Sequence, residues 1–125
     1  MYENNHPKKR YRLTLDFVSQ HISKTDSILD LGVKNPLSQL LKSKGFDIYN
    51  TVGEDLDINF SSVENSTTEV VSAFEILEHL VAPFNVLSKI KSKKLIASVP
   101  LKLWFASAYN CLLYTSPSPR DFEAS

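Results

Sequence analysis

The chain has 125 residues, 42% of them hydrophobic, enough for one core and too few for two ordinary domains. Fourteen Lys plus Arg balance fourteen Asp plus Glu, so no global field favours nucleic acid or an anionic membrane. No apolar run reaches the ~20 residues of a bilayer span, and the polar start Met1-Tyr-Glu-Asn-Asn-His6 lacks the basic-then-apolar order of a signal peptide. A single cysteine excludes a disulfide framework, and no Cys/His spacing resembles a zinc site. These features together predict a cytoplasmic protein with no membrane or nucleic-acid partner and no structural metal.

In chain order, Tyr11, Leu15, Val18 and Ile22 recur at spacings of four, three and four, one face of an amphipathic helix. The basic group Lys8, Lys9, Arg10 and Arg12 reads as the solvated start of that helix. Ile28, Leu29 and Leu31 then form a first strand that stops at Gly32. Asn35 is a good N-cap and Pro36 suits the first helical turn, so a second helix starts there with Leu37, Leu40 and Leu41 inward and Gly45 closing it.

Phe46, Ile48, Thr51 and Val52 favour a second strand over 46–52, followed by the acidic turn Gly53-Glu-Asp-Leu-Asp57. From Ile58 to Thr68 the pattern is polar and weak, and any third strand there is short. Val70 to Phe74 is apolar without alternation, as in a strand buried on both faces, and a short helical turn carrying Ile76, Leu77 and Leu80 follows. Pro83 marks another helix start with Val86, Leu87 and Ile90 inward. Lys94 to Val99 is the last clear strand, ended by Pro100. This order is that of an α/β, doubly wound, Rossmann-like parallel sheet, whose ligand site lies at the carboxyl ends of the strands.

Three strand ends carry candidate chemistry. A ligand with an adenosine and a charged amino-acid end needs a tight turn after the first strand, where small residues let backbone N–H groups approach; Asp30 and Gly32 stand there. It needs an acid after the second strand to accept the ribose hydroxyls, and Glu54 and Asp55 stand there. A third strand end closes the crevice, and Glu75, Glu78 and His79 occupy it. His79 suits a general base, since histidine is the side chain whose reference pKa lies near neutrality, or else caps a short helix or packs beneath the sheet. Glu75 is either a cofactor-side contact or a solvated helix-start acid, and Glu78 reads as a helix-surface charge. Trp104, Phe105 and Tyr109 line a substrate pocket or cover the sheet.

On these residues the chain resembles the class I S-adenosylmethionine-dependent methyltransferases. The matching stretches are Ile28-Leu-Asp-Leu-Gly32, Gly53-Glu-Asp55, Phe74-Glu-Ile-Leu-Glu-His-Leu80, which is especially like the small-molecule enzymes of quinone biosynthesis, and Leu95-Ile-Ala-Ser-Val-Pro100. The resemblance spans about Tyr11 to Pro100. It implies S-adenosylmethionine as cofactor, bound through Asp30, Gly32, Glu54, Asp55 and Glu75, methyl transfer to a small-molecule acceptor, and His79 as the catalytic candidate. Two departures stand out: the family's glycine-x-glycine keeps only Gly32, and the interval from Asp30 to Glu75 is short for the usual core. A non-catalytic nucleotide- or S-adenosylmethionine-binding module is the alternative reading. An NAD site ranks last, because its fingerprint needs three spaced glycines.

The segment Cys111-Leu-Leu-Tyr-Thr-Ser-Pro-Ser-Pro-Arg-Asp121 resembles no fold element and is similar to one reading frame of a transposase adapter oligonucleotide. Its Pro/Ser-rich composition also allows a disordered terminus. The expected organisation is therefore a partial cofactor-binding domain over 1–110 that lacks the last two strands of the sheet, with a non-native or disordered tail over 111–125.

Overall fold

A computed structural model describes residues 2–101 and 109–115, with side chains over 8–99. Four strands, β1 (Ser27–Asp30), β2 (Asp47–Asn50), β3 (Val70–Phe74) and β4 (Lys94–Leu101), run parallel, and β5 (Tyr109–Thr115) joins antiparallel at the β4 side; the spatial order is β2-β1-β3-β4-β5. From β1 the chain steps outward to β2 and then returns across β1 to β3, so the switch of direction lies between β1 and β3, where open α/β sheets bind their ligands.

Both faces of the sheet are covered, and strand alternation decides which residue serves which face. Ile28, Ile48, Val70 and Ile96 pack with Val18 and Ile22 of α1 (Tyr2–His21) and Leu37 and Leu41 of α2 (Pro36–Ser43). Leu29, Val71, Leu95 and Ala97 face the other way, onto Val63 of α3 (Ser61–Glu64) and Val86 and Leu87 of α4 (Pro83–Leu87). Burial on both sides explains why β1 and β3 read as apolar runs, whereas edge strand β2 alternates exposed and buried residues. The α2 start forms a full capping box, with Asn35 Oδ1 accepting from Ser38 N (3.0 Å) and Ser38 Oγ accepting from Asn35 N (3.0 Å).

Several elements depart from the sequence expectations. The first helix begins at Tyr2, so Lys8, Lys9, Arg10 and Arg12 lie within it rather than at its start. Residues 2–7, Tyr-Glu-Asn-Asn-His-Pro, carry no apolar period, which hid the first two turns from an apolar-periodicity reading. The second strand is confined to Asp47–Asn50, and the weak 58–68 stretch holds the single turn α3 and no strand.

Pro100 does not end its strand; β4 continues through Leu101, with Pro100 opposite Asn110. Ser98 O accepts from Glu75 N, so by strand alternation the absent N–H of Pro100 lies on the β3 side, where pairing has already stopped at Phe74↔Ser98. Residues 111–115, expected to join no fold element, continue β5 against β4. The Cys-Leu-Leu-Tyr-Thr run combines apolar and β-favouring residues, and the open side of an apolar strand is a template for such a segment. Trp104 and Phe105, and the side chains of Tyr109 and Cys111, lie outside the described residues.

Candidate functional site

The three strand ends named from the sequence share one edge of the sheet and meet around Gly32. Gly32 has φ +113, and a Cβ built on it would stand 3.2 Å from Ile76 Cδ1, in the segment after β3. Its N–H donates to Thr51 Oγ1 (2.8 Å), at the end of β2. Gly53, at φ +94, leaves room for the Val33 side chain, which would lie 3.2 Å from an added Cβ. Only a residue without a side chain combines such angles with such close neighbours.

Asp30 is the polar centre of this junction. It is 2% exposed and accepts from Ser72 Oγ (2.7 Å) and Asn50 Nδ2 (3.0 Å). Burial pushes its carboxyl up from 3.8 to about 6, with the Ser72 and Asn50 hydrogen bonds countering that only in part. Asn50 Nδ2 also donates to Gly32 O (3.0 Å). One amide thus ties the end of β2 to both the acid and the glycine of the first turn. Asn50 was not singled out from the sequence; an amide ending a strand that neighbours a buried acid is the signal that would have found it.

The acids after β2 are engaged within their own loop. Glu54 Oε1 accepts from Val52 N (2.9 Å), and Oε2 accepts from the Ser62 hydroxyl. Against the upward push of partial burial, the Ser62 hydroxyl and the loop backbone hold Glu54 below its ordinary pKa. Asp55 Oδ1 accepts from Asp57 N (3.0 Å). Asp57, not singled out beforehand, reaches across to Val81 N (3.0 Å) and Ala82 N (2.9 Å), fastening the acidic loop to the start of α4. These two backbone bonds hold Asp57 below its ordinary pKa.

Glu75 follows β3 with φ +56, the described non-glycine residue in the left-handed region. Its carboxylate pairs with Arg10 of α1, 65 residues away, and both side chains are partly buried. The acid is therefore neither a solvated helix start nor free in the cleft. Arg10 Nε is buried with no acceptor among the described residues. His79 ends a single 3₁₀ turn, Leu77–His79, and is exposed, with Nε2 3.8 Å from Glu78 Oε2. It does not pack beneath the sheet; the readings as a general base and as the end of a short helical turn both stand. Among the described residues no three His, Cys, Asp or Glu side chains are grouped to hold a metal ion, and no helix is long and apolar enough to cross a membrane.

No protein-family model, no curated protein and no solved structure matches this chain.

Proposed function

We propose that the carboxyl edge of this sheet binds S-adenosylmethionine and that the protein transfers the methyl group to a small-molecule acceptor. One observation carries the reading: the ends of three parallel strands meet at the switch point around a glycine whose added Cβ would stand 3.2 Å from Ile76 Cδ1. That turn sets a glycine beside a buried, hydrogen-bonded acid, and the motif resemblance over Ile28–Gly32 and Phe74–Leu80 supports the ligand class.

The fit is uneven. Gly32 provides the tight turn, but its N–H is held by Thr51 Oγ1 and its C=O by Asn50, and buried Asp30 already accepts from Ser72 and Asn50. Glu54 and Asp55 would accept ribose hydroxyls only after leaving Val52 N, Ser62 and Asp57 N, and Glu75 would contact the ligand only by sharing or leaving Arg10. The cofactor supplies an activated methyl with its leaving group attached. The chain's own task is then to orient the acceptor and exclude water, with exposed His79 the candidate to take a proton from an oxygen or nitrogen nucleophile.

The same engagement of Glu54, Asp55 and Glu75 favours the second reading, a non-catalytic S-adenosylmethionine- or nucleotide-binding module. Calorimetric titration of the chain with S-adenosylmethionine and with its demethylated product tests the first step. Saturable heat that Gly32→Ala abolishes is expected, and no heat at millimolar ligand refutes the reading. Glu54→Ala with Asp55→Ala is expected to weaken binding ten- to a hundredfold, the size of lost charged hydrogen bonds. Binding without methyl transfer to any small-molecule extract selects the module over the enzyme.

A further inference from the structure

The outer side of β2 is the one strand edge of the parallel sheet with no strand against it among the described residues. Its free backbone groups can be named. Thr51 N donates to Asp30 O, so residues 49 and 51 turn their N–H and C=O toward β1. By alternation Ile48 and Asn50 turn theirs outward, and no backbone partner meets them among the described residues. Those two residues, with Tyr49, line a groove of about 240 Å³ together with Gln39 and Lys42 of α2 and Lys34 of the turn before it.

Lys34 and Lys42 are exposed and have no acidic partner among the described residues. Lys34 lies in the turn before α2, where Asn35 is extended (φ −146, ψ 171), and Lys42 lies in the last turn of the helix, so the two cations stand near opposite ends of α2. In an extended chain, side chains at i and i+4 lie on one face about 13 Å apart. The eight-residue helix is about 12 Å long, so acids four residues apart on a strand laid along β2 reach a cation near each of its ends. The same lysines repel a basic strand and disfavour an uncharged one, a known means of keeping sheet edges from pairing indiscriminately.

We propose that the β2 edge is a docking site for an extended acidic segment of a partner protein, which adds to the sheet as a further strand. Main-chain bonds to Ile48 and Asn50 supply the pairing, and Lys34 and Lys42 select acids at i and i+4. This site lies outside the Gly32 junction and does not depend on cofactor binding.

The test uses the 125-residue chain and a fluorescent heptapeptide of Thr and Val carrying Glu at its second and sixth positions. Anisotropy is expected to show saturable binding, weakened at least tenfold by Lys34→Glu with Lys42→Glu, and the Ile48 and Asn50 amides are expected to gain hydrogen-exchange protection. A peptide N-methylated at alternate residues keeps the charges and loses the pairing; it is expected not to bind the unaltered protein. The proposal is overturned if a Lys-for-Glu peptide binds equally well, or if the N-methylated peptide binds as tightly. It is also overturned if sedimentation shows that a second copy of the chain already protects these amides.

Discussion

Substituting Asp30 by Asn separates the cost of a buried charge from the hydrogen bonds that hold it. Because burial raises the Asp30 pKa from 3.8 to about 6, the folded state binds a proton more tightly than the unfolded chain. The associated stability is fully present below pH 3.8 and is lost as pH rises through about 6. At about 1.4 kcal/mol per pH unit, the loss amounts to about 3 kcal/mol by pH 7. In Asp30→Asn this titration disappears, while the new amide faces Asn50 Nδ2 where an acceptor stood, a loss of about 1 kcal/mol for one hydrogen bond. The variant is thus expected to be about 1 kcal/mol less stable than the parent at pH 3.5 and about 2 kcal/mol more stable at pH 7, with the curves crossing near about pH 4.5. Urea unfolding followed by circular dichroism at constant ionic strength, from pH 3.5 to 7.5, measures the difference. Taking the difference cancels the carboxylates held below their ordinary values, Glu54, Asp57 and Glu69, whose stability is lost as pH falls. Parallel curves for parent and variant across the whole range would refute the account of a desolvated Asp30.

Gly32→Ala forces a side chain into φ +113 and toward Ile76; urea unfolding is expected to show a loss of about 1–2 kcal/mol from the backbone alone, and an unchanged midpoint would mean the turn relaxes freely. Ser72→Ala removes the 2.7 Å bond to Asp30, so carbon-13 carboxyl titration is expected to find Asp30 pushed still higher, with a stability loss of about 1–3 kcal/mol above pH 6. A lower or unmoved carboxyl pKa would contradict the assigned bond. Asp57→Ala frees the Val81 and Ala82 amides, and hydrogen exchange at those two positions is expected to accelerate while core amides of β3 do not; equal rates would show that the cross-link is not formed in solution.

Much of this architecture could be read from local chemistry. The Asn35-Pro36 start, the tight turn at Gly32, the left-handed Gly45 closing α2, and the doubly buried Val70–Phe74 run each follow from one residue type meeting one backbone requirement. What escaped depends on partners far away in the chain. Nothing near Glu75 announces Arg10, 65 residues earlier, and nothing near Val81 announces Asp57. Glu54 stood at the expected place after β2, but a carboxylate beside free loop N–H groups folds back onto them, and spacing alone does not distinguish that from an acid held out to a ligand. Pro100 was read as a terminator because a missing donor ordinarily interrupts a ladder. Its tolerance here depends on β3 having ended, a fact of the three-dimensional register.

Glu75 carries a further implication. A glycine at this position would relieve a left-handed strain of about 1–2 kcal/mol, yet the position holds a side chain whose carboxylate reaches α1. Gains in thermal robustness from Glu75→Gly would come with an N-terminal helix no longer anchored over the carboxyl edge, so robustness and tethering cannot be improved together at this residue.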